Sequence, residues 1–151
     1  MTFLSIIIPF DRPARYLKDC LDSLSEQEME DTEVILIING NEEDISDLLK
    51  DYDGKLNLIL KQFDERIGVG KARNEGLNLA TGKYVYFIDS DDYLYSNALE
   101  KLIEVAHQTD RISSMLKGPT LLLSRIGLKR QESLQDKASF SKMMQLIWNI
   151  P

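Results

Sequence analysis

The sequence predicts an α/β domain: a mostly parallel sheet with helices on both faces. Four short runs rich in apolar and β-branched residues, at 3–10, 33–38, 56–60 and 84–88, alternate with segments of helical periodicity, the pattern of strands joined by right-handed helical crossovers. Three of the four are near-continuously apolar rather than alternating, which marks strands buried on both faces. The 151 residues have room for one domain with a sizeable core,.

Each element has its own signal. Residues 3–10, Phe-Leu-Ser-Ile-Ile-Ile-Pro-Phe, read as a strand stopped by Pro9, which has no N–H to give a ladder,. Leu17, Cys20, Leu21 and Leu24 recur at i, i+3, i+4, i+7 and predict an amphipathic helix,. Residues 33–38 form a second strand, closed by the turn-forming Asn39-Gly40-Asn41,. Ile45, Leu48, Leu49 and Tyr52 repeat the helical spacing, with Gly54 just past the end,. A weaker strand covers 56–60, a helix covers 69–81 and ends at Gly82, and the run from Tyr84 leads into Asp89. Ser96 is placed to cap a helix with the stripe Leu99, Leu102, Ile103 and Ala106,. Beyond residue 110 the pattern weakens. Residues 112–116 and 120–126 read as short, antiparallel edge strands, and Phe140, Met143, Met144 and Ile147 as a last helical stripe.

Composition narrows the function. The net charge of −7, with no basic stripe, argues against a nucleic-acid partner,. Cys20 is the single cysteine and has no internal disulfide partner. With no basic segment ahead of the short apolar run at 3–10, this predicts a reducing, cytoplasmic setting without a transmembrane segment, and leaves peripheral membrane contact open. His107 has no cysteine or histidine partner for zinc,. The charged stretches 26–33 and 42–44 read as a solvated connection and an acidic helix start,.

The chemistry concentrates in Asp89-Ser90-Asp91-Asp92. Three carboxylates follow a buried strand directly, at the strand end where open α/β sheets bind ligands,. Asp89 and Asp91, one residue apart, can share a hard cation such as Mg²⁺ or Mn²⁺, with water and phosphate oxygens completing the shell. The plain alternative is a solvated acidic turn before a helix. Gly68 and Gly70 do not make a dinucleotide fingerprint, because Arg73 stands where the third glycine belongs and the pair does not follow the first strand,. There is no Gly-Lys-Ser/Thr phosphate loop either,.

The loops following the strands, taken in order, resemble the family 2 inverting glycosyltransferases of GT-A fold. The resemblance runs through Ser5-Ile-Ile-Ile-Pro-Phe-Asp11, Gly68-Val-Gly-Lys-Ala-Arg73-Asn74-Glu-Gly76, and Ala80-Thr-Gly-Lys-Tyr84 to Leu94. It is good over 1–110 and weak over 111–151. It implies transfer of a sugar from a nucleotide-sugar donor, a UDP-sugar favoured, to a saccharide acceptor in polysaccharide biosynthesis. Pro9, Phe10, Asp11, Asn39, Arg73, Asp89 and Ser90 are then the donor-binding residues, and Asp89 with Asp91 the holders of Mn²⁺ or Mg²⁺. Phe10 is expected to pack on the base, with Asp11 and Asn39 reading base and ribose edges. Two departures stand out. Ile38 occupies a position where relatives often carry an acid, and Asp11 replaces the usual asparagine. The family's general base belongs to an acceptor-binding half expected beyond Pro151. The 151 residues then form a single donor-binding domain without its catalytic base, and 110–151 could self-associate where that half would pack. A sugar nucleotidyltransferase and a non-catalytic nucleotide-binding or interaction module are the alternatives.

Overall fold

A computed structural model describes residues 2–41, 43–116 and 129–130, with side chains as far as His107. The elements run β1 (Leu4–Phe10), α1 (Ala14–Ser25), β2 (Thr32–Asn39), α2 (Ser46–Lys50), β3 (Leu58–Phe63), α3 (Val69–Leu79), β4 (Tyr84–Phe87), α4 (Ala98–Leu116) and β5 (Lys129–Arg130). The sheet order is β3-β2-β1-β4-β5. The first three pairings are parallel, and β5 adds antiparallel to β4, Tyr84 opposite Arg130.

Both faces of the sheet are covered, as the continuous apolar runs predict. Leu4, Ile6, Ile8 and Phe10 of β1, with Val34, Leu36 and Ile38 of β2, pack with Leu17, Cys20, Leu21 and Leu24 of α1 and with Leu99 and Ala106 of α4. Ile7, Ile35 and Ile37 face the other way, onto Ala72 of α3 and Val85. Each fully buried leucine of α1 contributes about 1.5–3 kcal/mol relative to an exposed one. On the second face the backbone of α3 comes so close to β1 that a Cβ at Gly76 would overlap the Ile7 side chain.

Several expectations are corrected. Pro9 does not stop β1, which continues to Phe10 and pairs Pro9 with Ile37. Phe3 and Ile7 direct their carbonyls toward β4, accepting from Tyr84 and Ile88. Pro9 shares that side of the strand but lies past the end of β4, so its missing N–H costs no ladder bond. The third strand lies at Leu58–Phe63 rather than 56–60, because Leu56 turns inward with the core beside α2. Ser96 is not the cap of α4. Asn97 takes a left-handed φ of 61° and the helix begins at Ala98. Residues 112–116 belong to α4 instead of a strand. The strand expected at 120–126, the stripe from Phe140 and the surface expected to self-associate beyond residue 116 lie outside the described residues.

Glu33 overturns the reading of 26–33 as wholly solvated. It is 3% exposed, at the amino edge of the sheet, where its carboxyl accepts from Ser5 Oγ at 2.5 Å and from the Thr81 N–H at 2.7 Å. Ser5 Oγ in turn accepts the Gly82 N–H at 2.9 Å. One buried carboxyl thereby ties β1, β2 and the connection into β4.

Candidate functional site

The connections place the site. From β1 the chain steps to β2 and then β3 in one direction, and β4 is then added on the other side of β1. That reversal opens a crevice beyond the carboxyl ends of β1 and β4, the position where open α/β sheets take ligands. Asp11 and Arg12 leave β1 there, and Asp89 to Asp92 leave β4. The β2 and β3 ends add Asn39, Gly40 and the segment 64–68.

Asn39 organises that segment. It is fully buried, and its Oδ1 accepts the Ile67 N–H at 2.8 Å. Gly40 has a φ of +66°, and a Cβ on it would collide with the backbone of Glu65 and Arg66. Only glycine gives both the left-handed turn and the close approach. Arg66 is thereby set over the crevice, where its guanidinium donates to Asp11 Oδ2.

The acidic turn rests on α1. Cys20 Sγ lies 3.9 Å from the Asp89 carbonyl, and Ser90 is buried at 2% exposure. Burial, and then the nearby Asp92, Asp91 and Asp89, push the Cys20 thiol up to about 12, so this cysteine is a packing residue rather than a nucleophile. Leu94 N donates to Ser23 Oγ at 3.0 Å, pinning the chain that follows the turn.

With its ends fixed, the turn presents Asp89 and Asp91 to the crevice, their side chains 48% and 44% exposed. Arg73 Nη2 donates to Asp89 Oδ1 at 2.6 Å. Arg12 Nε lies 3.7 Å from both Asp91 Oδ2 and Asp11 Oδ1. Asp11, Asp89 and Asp91 thus alternate with Arg12, Arg66 and Arg73 across the mouth. Arg73 Nε is buried and unpartnered among the described residues, as is Asn39 Nδ2. Arg73 lies in the first turns of α3, where helix N–H groups favour negative charge,.

Of the residues expected at a donor site, Asp11, Arg73, Asp89, Ser90 and Asp91 are brought together. Pro9 is a strand residue inside the sheet. Phe10 corrects the expected base-stacking role: it is fully buried on the α1 face and has no free ring face. Alternation along β1 gives the reason, since Phe10 follows Leu4, Ile6 and Ile8 onto the core side. Asn39 acts on the loop backbone. Arg12 and Arg66 were missed by sequence reasoning. Nothing local in the sequence marks either, because each pairs across separate connections. Among the described residues no group of three or more His, Cys, Asp or Glu converges on a metal position. Asp89 and Asp91 together still meet the one or two protein carboxylates that Mg²⁺ or Mn²⁺ takes when phosphate and water complete its shell.

A doubly covered α/β sheet with charged side chains at its switch point defines the class of open α/β domains that take ligands beyond their strand ends. Comparison with known proteins specifies the family. The sequence profile described as glycosyl transferase family 2 matches residues 5–119, and the chain belongs to that family. It is 33% identical over 108 residues to the uncharacterized glycosyltransferase EpsJ of Bacillus subtilis, covering 70% of this chain and 30% of that one. It is 33% identical over 121 residues to a poly(ribitol-phosphate) beta-glucosyltransferase of Bacillus spizizenii, covering 76% and 19%. The crystal structure of Staphylococcus aureus TarS 1-349 in complex with UDP-GlcNAc superposes with a TM-score of 0.67 and 28% identity, over 72% of this chain and 32% of that one. The fold is therefore GT-A. The chain spans less than a third of the length of these curated relatives. Among the described residues no helix is long and apolar enough to cross a membrane.

Proposed function

We propose that this chain is the donor-binding part of an inverting, metal-dependent glycosyltransferase that uses a nucleotide sugar, a UDP-sugar favoured, in building a cell-surface polysaccharide. The observation that carries the reading is the alternation of Asp11, Asp89 and Asp91 with Arg12, Arg66 and Arg73 at the switch point. Asp91, with Asp89, would hold Mn²⁺ or Mg²⁺, which supplies Lewis-acid stabilisation of the departing nucleoside diphosphate. Arg73, whose guanidinium already reaches the acidic turn through Nη2, would donate to a phosphate or donor hydroxyl,. Asp11, held by Arg66, presents a carboxyl at the β1 end where a nucleoside edge is to be read. Relatives support the donor class: TarS is crystallised with UDP-GlcNAc, and both TarS and the Bacillus spizizenii relative are named as poly(ribitol-phosphate) transferases.

A single displacement needs a general base within hydrogen-bond reach of the acceptor hydroxyl. We assign that base to an acceptor-binding part outside this chain, as the family resemblance implies, so donor binding is the activity to measure. Calorimetric titration of UDP and of GDP, each with and without Mn²⁺, tests the reading. Mn²⁺-dependent binding of UDP that disappears in Asp91→Ala is the expected result. A folded protein that binds neither nucleotide would leave the non-catalytic interaction module as the better account.

A further inference from the structure

Arg12 has no role in the donor chemistry assigned so far, yet it occupies the centre of the charged mouth. Its Nε lies 3.7 Å from Asp91 Oδ2 and 3.7 Å from Asp11 Oδ1, and its side chain is 57% exposed. Its backbone is fixed. Asn41 Nδ2 donates to the Arg12 carbonyl at 2.6 Å, and Pro13 follows it, restricting Arg12 to extended conformations,. One residue further on, the Ala14 N–H that opens α1 donates to Glu43 Oε2 at 2.8 Å. The backbone is thus held on either side of Pro13, while the guanidinium lies near the surface.

We infer that Arg12 is a further donor-binding residue, which covers Asp91 and exchanges it for the diphosphate when a divalent cation takes the carboxylate. The inference rests on the donor-site reading and goes beyond it by coupling cation to nucleotide. Arg12 and a cation would compete for the Asp91 carboxylate, whose Oδ2 faces the guanidinium. Exposed ion pairs at this separation are weak, so Arg12 yields readily. Once displaced, its positive charge would be repelled by a cation held at Asp91. A diphosphate bound with the cation would bring negative charge within reach of the guanidinium, and a charge-assisted hydrogen bond from Arg12 would replace the lost pair. Each ligand thereby promotes the other, and by linkage the promotion is equal in both directions.

The test is calorimetry with Mn²⁺ alone, UDP alone, and UDP at saturating Mn²⁺, at low salt, on the wild type, Arg12→Gln and Arg12→Lys. Arg12→Gln is expected to bind Mn²⁺ alone about two- to fivefold more tightly and UDP with Mn²⁺ about fivefold more weakly, the range for exposed ion pairs. Arg12→Lys, which keeps the charge, is expected to stay near the wild type in both. A residue that merely shaped the loop would weaken both bindings together in Arg12→Gln. That result, or no change in either, overturns the inference while wild-type Mn²⁺-dependent UDP binding leaves the donor site standing. Absence of Mn²⁺-dependent UDP binding in the folded wild type overturns both.

Discussion

At the amino edge of the sheet, Glu33 is 3% exposed and its carboxyl accepts hydrogen bonds from Ser5 and Thr81. At the carboxyl edge, Asp91 is nearly half exposed and, among the described residues, pairs with the guanidinium of Arg12 at 3.7 Å. The two acids lie beside the same kind of apolar sequence, yet they do opposite work. A buried carboxyl with fixed donors holds strands in register, because losing any partner leaves a polar group stranded away from water. An exposed carboxyl with a weak, exchangeable partner holds nothing in place and is available to a ligand. The two ends of β1 and β4 therefore separate architecture from chemistry, and substitution at each end should separate stability from binding.

The largest effect is expected at the amino edge. Glu33→Ala leaves Ser5 Oγ and the Thr81 N–H without their acceptor and should lower unfolding stability by about 2–3 kcal/mol, read from urea denaturation. The folded fraction should bind UDP with Mn²⁺ like the wild type. Gly40→Ala sharpens the comparison, since it is the carboxyl-edge position with a strict steric demand. The added Cβ meets the Arg66 backbone at a left-handed φ, and a loss of about 1–3 kcal/mol should accompany weakened UDP binding as Arg66 leaves Asp11.

A smaller effect concerns pH. The Cys20 thiol beneath the acidic turn is raised from 9.0 to about 12 in the folded chain. A raised pKa means the folded state keeps a proton that the unfolded state releases. This contribution is fully present below pH 9 and is lost as pH rises toward 12. Stability should fall over that window by up to about 1.4 kcal/mol per pH unit for this one proton. Tyr86, raised by its own burial and then by Asp92 and Cys20, adds in the same direction. Cys20→Ala should flatten the decline, measured by thermal unfolding at stepped pH.

What was legible in the sequence follows the same division. Continuous apolar runs and the helical stripe Leu17, Cys20, Leu21 and Leu24 gave the layers, because burial is written in local periodicity. Asp89 and Asp91 were legible because carboxylates cannot stay inside a doubly covered sheet, so an apolar run that breaks off into acids delivers them to the strand end. Glu33 was not, since a lone acid among other acids shows nothing of the serine and threonine that fold onto it from 28 and 48 residues away. Phe10 was assigned to the ligand because it stands beside a loop, whereas sheet alternation carries its ring into the core. Arg12 and Arg66 became site residues only when topology brought four connections together. Pro9 misled at the level of the strand end, where the neighbour's length rather than the proline decides.

The measurement that tests the division most directly is paramagnetic broadening of backbone amide signals by Mn²⁺ in the presence of UDP. Signals from Asp11, Arg12, Arg73 and Ile88 to Asp92 are expected to broaden first, while those of Glu33, Thr81 and Gly82 persist. The seven residues of β1 separate the two groups by roughly 20 Å at about 3.3 Å per residue. Broadening centred on Glu33, or spread evenly over the acidic surface with no focus at the β1 and β4 ends, would contradict the account.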